Sequence, residues 1–210
     1  MGVTSKPKPK RSFIEEARRK QILDVALAEI QAKGLQNTSI QKIADKAKVT
    51  KGVIYYHFNG REELLNNIWS ALIRELFEYR KLRVEAQPTA AAKLRIYVRA
   101  NFEFLKKNFN KFNALFRMGI DIGASGAKPN PWSTEINLRC FAFLSSILKE
   151  GQQNGEFRKF SPEIITPIIQ GAIDGLGLQW VSAPELFDLE ACLNTLLEII
   201  DQYTAAKTGR

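Results

Sequence analysis

Thr38-Ser39-Ile40-Gln41-Lys42-Ile43-Ala44, continued after Asp45-Lys46-Ala47-Lys48-Val49 by Thr50-Lys51-Gly52-Val53-Ile54-Tyr55-Tyr56-His57-Phe58, is the stretch that decides the fold. Thr38 and Gln41 form a Thr-x-x-Gln capping box, which predicts a short helix with Ile43, Ala44 and Ala47 as its apolar stripe. Thr50 caps the next helix, which holds Val53, Ile54 and Phe58. Two short helices joined by the tight connection Ala47-Lys48-Val49 make a helix-turn-helix. Ala44 and Ala47 let the helices cross closely, while Val49 and Ile54 fill the angle between them. Thr50, Lys51, Gly52, Val53, Tyr55 and Tyr56 are then left to face a DNA groove. The helix amino termini at Thr38 and Thr50 turn partial positive charge toward phosphates.

Upstream, Ile14, Ala17, Ile22, Val25, Ala26 and Ile30 recur at three- and four-residue spacing until Gly34, a left-handed stop. Downstream, Asn59 with Glu62 starts a long amphipathic helix through Leu64, Leu65, Ile68, Leu72, Leu76 and Tyr79. After Pro88 the spacing predicts a helix from the Thr89 cap to Asn108 and a short helix over Lys111 to Ile122 before the loop Gly123-Ala124-Ser125-Gly126. Asn130-Pro131 opens a helix to Asn154-Gly155, and Ser161-Pro162-Glu163 opens another through Val181. A last helix spans Glu185 to Tyr203. The expectation is an all-α chain of about nine helices. Its parts are a flexible basic tail over 1–12, a helix-turn-helix domain over 13–60, a connecting helix over 61–82 and a larger helical domain over 83–210.

Charge selects the same segment. Of the formal net charge of +9, residues 1–61 carry 13 Lys and Arg against 5 Asp and Glu, while residues 62–210 carry 18 against 17. Such concentration suggests a polyanion-binding module on a neutral body, with Lys6, Lys8, Lys10 and Arg11 as a tail that either binds or only solubilises. Two cysteines, Cys140 and Cys192, are too few for a zinc ribbon or a redox pair and make the cytoplasm the default compartment. The most apolar run, Ile164 to Ala183, is interrupted by Pro167, Gln170, Asp174 and Gln179, so no membrane span is expected. No phosphate-cradling glycine loop and no Gly-x-Ser-x-Gly occur, and His57 is the one histidine, so neither a metal site, a cofactor nor a catalytic relay is expected.

The stretch Thr38 to Ala44 through Lys51 to Phe58, followed by Arg61-Glu62-Glu63-Leu64-Leu65, resembles the DNA-binding domain of the TetR family of transcriptional regulators over about residues 14–68. The later segments Gly151 to Phe157 and Asp174-Gly175-Leu176 resemble the less uniform carboxy-terminal region of that family. The resemblance implies a homodimeric, all-helical repressor of a palindromic operator, relieved by a ligand. It places Lys51, Val53 and Tyr55 near base edges, and Thr38, Ser39, Thr50, Tyr56, His57 and Arg61 near the sugar-phosphate backbone, with Gly52 between them. Lys48 departs from the family, which usually has Gly there; a left-handed turn would cost Lys roughly 1 kcal/mol.

In the body, Phe102, Phe104, Phe109, Phe112 and Phe116 cluster, with Met118, Trp132, Phe141, Phe143 and Trp180 beyond them. Singly such residues are ordinary core; as a set they suit a small, mainly apolar or aromatic effector with a few polar anchors. Candidate anchors are Asn101, Glu103, Asp121, Asn137, Arg139 and Gln179. The two last helices are apolar on more than one face, and Ile169, Ile173, Leu176, Leu193, Leu196 and Ile200 are the candidate dimer contacts, with Gly171, Gly175 and Gly177 permitting close approach. Two alternatives stay open at this point: a constitutive DNA-binding regulator with a solid core, and an all-helical enzyme whose cavity is an active site. The sign of regulation, the operator and the effector lie outside the sequence.

Overall fold

Ser12 opens the first helix with a reciprocal cap: its hydroxyl accepts from the Glu15 N–H at 3.3 Å, and the Glu15 carboxylate accepts from the Ser12 N–H at 2.8 Å. Helix α1 then runs Phe13–Lys33 and stops at Gly34, whose φ of 77° is the left-handed value expected of a glycine stop. The computed structural model describes residues 12–35, 37–114 and 131–206, without the side chains of 131–137. The remaining named helices are α2 Ile40–Ala47, α3 Lys51–His57, α4 Arg61–Glu85, α5 Ala90–Lys107, α6 Pro131–Gln153, α7 Pro162–Ser182 and α8 Leu189–Thr204. Residues 109–114 add a helical turn, and an isolated bridge between Phe157 and Ala205 is the one extended pairing among the described residues. The fold is all-α. The basic tail and the rest of the helix expected over Lys111 to Ile122 lie outside the described residues.

Three helix starts differ from expectation. α2 is capped by Ser39, whose side chain accepts from the Lys42 N–H, while the Thr38 hydroxyl turns back to donate to the Gly34 carbonyl at 2.9 Å. Ahead of α4 it is Glu63, not Glu62, that reaches back to accept from the Asn59 N–H at 2.9 Å. α8 begins at Leu189 because the Asp188 carboxylate accepts from the Glu190 and Ala191 N–H groups. Elsewhere the local signals hold: Thr89 caps α5, Asn108 ends it, and Pro162 occupies the first turn of α7.

The chain divides into two compact units inside α4, one to Ile68 and one from Trp69. In the first, Ile22, Ala26 and Ile30 of α1, Ile43, Ala44 and Ala47 of α2, Ile54 and Phe58 around α3, and Leu64, Leu65 and Ile68 of α4 are buried together as its core. Glu29 is fully covered within it, and its carboxylate pairs with Lys33 at 2.8 Å and with Lys46 of α2. Hydrogen bonds from Lys33 and Lys46 hold that carboxyl below its ordinary range.

In the second unit the buried residues are Leu94, Val98, Phe102 and Leu105 of α5, Leu144, Ile147 and Leu148 of α6, Ile165, Ile169 and Ile173 of α7, and Leu193, Leu197 and Ile200 of α8. This corrects four of the six candidate dimer contacts: Ile169, Ile173, Leu193 and Ile200 are spent on the intrachain core, whereas Leu176 and Leu196 are half-buried and stay available. The expected face was wrong because these helices are apolar nearly all round, so periodicity alone does not say which stripe turns inward. The Glu156 carboxylate accepts from Ala90 and Ala91 N–H at 3.0 Å each, satisfying two orphan donors of α5 from 66 and 65 residues away in sequence.

Candidate nucleic-acid interface and effector core

The turn between α2 and α3 is made by Lys48 at φ 54°, ψ 45°, the one non-glycine residue with positive φ among the described residues. Its N–H reaches the Asp45 carbonyl at 3.2 Å and the Val49 N–H reaches Ala44 at 3.0 Å, so the connection keeps its geometry although a side chain sits where glycine would be unstrained. Thr50 caps α3 by accepting from the Val53 N–H. Lys51, Gly52, Tyr55 and Tyr56 are exposed and Val53 is half-buried, while Ile54 is buried against the head. One helix face therefore presents an ammonium, two phenol rings and a small residue to solvent, which is what a base-reading surface requires.

Two expected backbone contacts need correction. Thr38 is 4% exposed with its hydroxyl committed to Gly34, while Ser39, which caps α2, is exposed. His57 is 6% exposed and lies edge-on to the Tyr56 ring at 5.1 Å, so it belongs to the interior of the head and not to its surface. Arg61 is exposed and also structural: its guanidinium donates to the Leu35 carbonyl at 2.7 Å, tying α4 to the loop that follows α1. Two positioning residues were not foreseen. Arg19 donates to the His57 carbonyl and to Asn67 Oδ1 at 2.6 Å, lies 3.7 Å from the Glu63 carboxylate and stacks over Phe58 at 4.1 Å, clamping α1 to the end of α3 and the start of α4. Glu15 accepts from the Tyr56 hydroxyl at 2.7 Å, and that bond, with the Ser12 N–H, lowers its carboxyl from the ordinary value.

The second unit holds a buried polar cluster inside an aromatic one. Arg80 of α4 is 1% exposed; one terminal nitrogen donates to Asn101 Oδ1 at 3.1 Å and the other to the Cys140 sulfur at 3.0 Å. Its guanidinium lies over the Tyr97 ring at 4.2 Å and near Phe77 at 5.7 Å. The Tyr97 hydroxyl donates to Gln170 Oε1 at 2.7 Å, and Gln170 donates to Asp174 Oδ1 at 2.8 Å. Burial pushes the Tyr97 phenol up and the Asp174 carboxyl up. Phe143 packs on Phe77 at 5.7 Å and on Tyr97 at 6.1 Å. A neighbouring group joins Trp69, Phe104 and Phe112, with ring centroids 6.1 to 6.5 Å apart, and Tyr79 stacks on Phe104 at 5.3 Å.

Residues 22–68 match the family described as "Bacterial regulatory proteins, tetR family", and residues 71–202 match "YsiA-like protein, C-terminal region". The chain belongs to the tetR family of bacterial regulatory proteins. This TetR-family member is 26% identical over 181 residues to the fatty acid metabolism regulator protein of Bacillus subtilis, covering 86% of this chain and 92% of that one. It is 25% identical over 186 residues to the probable acrEF/envCD operon repressor of Escherichia coli strain K12, covering 81% and 79%. Among solved structures it superposes with TM-score 0.69 on the transcriptional regulator FadR from Bacillus subtilis in complex with stearoyl-CoA, at 26% identity and with 86% and 96% of the two chains covered. The head is therefore a DNA-binding domain, and the protein is a ligand-responsive transcriptional repressor.

Of the candidate effector residues of this TetR-family repressor, Asn101 and Phe143 come together around Arg80 and Tyr97. Phe112 belongs to the adjoining aromatic group, and Phe102 is buried on the same helix as Asn101. Trp180 packs edge-on to Phe109 at 5.2 Å. Of the candidate anchors, Arg139 and Gln179 are exposed. Phe116 and Asp121, with Met118 and the side chains of Trp132 and Asn137, lie outside the described residues. The buried polar residue that sequence reasoning missed is Arg80. Its signal was the spacing Leu72, Leu76, Arg80, Val84, which sets an arginine on the apolar stripe of α4.

Proposed function

We propose that this TetR-family repressor acts in the cytoplasm as a homodimer that grips a palindromic operator with two α3 helices and lets go on binding a mainly apolar effector, an acyl-chain compound, without catalysing a reaction. The observation that carries the effector class is the 26% identity, over most of both chains, to a fatty acid metabolism regulator and to a structure holding stearoyl-CoA. The aromatic core around Phe77, Phe104, Phe112 and Phe143 supports it, because an alkyl chain gains by leaving water for such surroundings. Operator contact falls to Ser39, Thr50, Lys51, Gly52, Val53, Tyr55, Tyr56 and Arg61, with the phosphate-facing members setting register and Lys51, Val53 and Tyr55 reading bases.

Dimerisation is supported by an uncovered seam. On α7, Ile164, Ile168, Gly171, Gly175 and Leu178 follow one another at spacings of four and three, all on one stripe; the three larger residues are exposed. On α8, Leu196, Ile199 and Tyr203 continue the same rhythm. A four-three alternation is the spacing of a helix-packing seam, and two copies of this pair would close a four-helix bundle about a two-fold axis. Such a dimer spaces its reading heads about 34 to 36 Å apart, one turn of duplex.

Relief by effector follows if its affinity differs between the DNA-bound and free conformations. α4 supplies a physical route, since the helix that begins with Arg61 carries Arg80 within the effector core. The test is fluorescence anisotropy of a labelled operator fragment titrated with stearoyl-CoA. Release of the fragment is the expected result. An operator complex that persists while stearoyl-CoA measurably raises the melting temperature of the free protein contradicts the coupling.

A further inference from the structure

Arg80 carries a full positive charge at 1% exposure, and no described carboxylate forms an ion pair with it. The groups that touch it are the Asn101 amide oxygen, the Cys140 sulfur and the Tyr97 ring. Sulfur is a weak acceptor, and the Nε–H of Arg80 is buried without any acceptor. Asp174 feels the Arg80 charge without forming an ion pair with it, and its contact in the cluster is the Gln170 amide, whose oxygen is taken by Tyr97. Buried guanidinium groups are ordinarily held by a carboxylate in a forked pair, and leaving one unpaired is costly. The rest of the surroundings, Phe77, Phe143 and the Tyr97 ring, are apolar.

From this pairing of a buried guanidinium that has an orphaned Nε–H and no ion-pair contact among the described residues with an aromatic wall, we infer that Arg80 is the counter-ion for the carboxylate of an apolar effector. The inference rests on the effector reading above and adds that, among acyl compounds, a free organic acid is the form that depends most on Arg80. The carboxylate takes the Nε–H and the terminal N–H that now faces Cys140, converting weak contacts into a charge-assisted fork. Its alkyl or aromatic body lies along Phe77 and Phe143. Asn101 fixes the remaining edge of the guanidinium, since its own amide donates to the Tyr97 carbonyl at 2.6 Å and is held in place. A thioester carbonyl presents the same kind of acyl oxygen without the charge, so the two sources differ in how strongly they depend on the cation.

The experiment compares dodecanoate, dodecan-1-ol and dodecanoyl-CoA by titration calorimetry against the full chain, with Arg80→Met and Arg80→Lys alongside. Dodecanoate is expected to bind at least tenfold tighter than the alcohol in the parent protein. Arg80→Met should abolish that preference while leaving alcohol binding intact, and Arg80→Lys should keep part of it. Without ligand, Arg80→Met should melt no lower than the parent, because an unpaired buried charge has been removed; a purely structural arginine predicts a marked fall. If acid and alcohol bind equally, or dodecanoyl-CoA alone binds, the carboxylate assignment is overturned while the acyl-effector reading stands. If none of the three binds, the effector reading fails and the inference fails with it. Should Arg80→Met not fold, the acid-to-alcohol ratio in the parent and in Arg80→Lys decides.

Discussion

The hydroxyl of Tyr56, on the exposed face of the recognition helix, donates to the carboxylate of Glu15 in the first turn of α1, 2.7 Å away. This bond crosses 41 residues of sequence and ties the most exposed ring of α3 to the amino terminus of the head. The Tyr56 bond is the largest cause of the lowered Glu15 carboxyl, followed by the Ser12 N–H. A carboxyl lowered by folding contributes stability above its unfolded value of about 4.3, and that contribution is lost as pH falls through the folded value. Tyr56→Phe should therefore move the Glu15 titration upward in NMR. Its effect on melting should be present at pH 7 and vanish in acid; an unchanged Glu15 titration would show that the bond does not form in solution.

Lys48 offers a test of backbone strain. Its left-handed turn at φ 54° costs an L side chain roughly 1 kcal/mol, part of which glycine regains and part of which it loses to a freer unfolded chain. Lys48→Gly is expected to stabilise the head by about 0.5 kcal/mol in urea unfolding. Destabilisation would mean that the Lys48 side chain makes a compensating contact.

Arg19 joins three elements through the His57 carbonyl, Asn67 and the Phe58 ring. Arg19→Met keeps much of the stacking bulk and removes the charged donors, so a loss of about 1.5 to 3 kcal/mol is expected in denaturant unfolding. Operator affinity should fall with it, since α3 loses the tie at its carboxy-terminal end.

Gly151 faces the ring of Phe157 so closely that a Cβ there would lie 2.1 Å from Cδ2. Gly151→Ala should cost about 1 to 3 kcal/mol through overpacking, and Gly151→Ala with Phe157→Leu should recover part of it. Additive losses in the double variant would contradict the contact.

The local signals were legible because each is written within a few residues. Gly34, Thr89, Asn108 and the Lys48 departure announced stops, caps and a strained turn that the structure places where the spacing put them. Thr38 and Ser39 were confused because either hydroxyl can cap, and which one does so depends on whether Thr38 turns back to Gly34. Pairs far apart in sequence left no local trace. Arg80 with Asn101, Glu156 with the start of α5, and Arg19 with His57 exist only once the helices pack. The dimer seam failed differently: α7 is apolar on several faces, so hydrophobicity alone could not tell Ile169, which is buried, from Ile168, which is 59% exposed.

That distinction gives a paired prediction. Ile168→Glu should halve the mass seen in analytical ultracentrifugation while leaving the helical melt of the chain intact. Ile173→Glu, placed in the intrachain core, should instead unfold the second unit. Both variants failing alike would remove the seam from consideration as an interface.

A selection from random duplex DNA, run with the full chain at moderate salt, tests the role of the basic head most directly. Enrichment of an inverted repeat with half-sites one helical turn apart is predicted, with binding that weakens steeply as salt rises and with Lys51→Ala relaxing base preference in both half-sites. Recovery of no sequence above bulk competitor would contradict it.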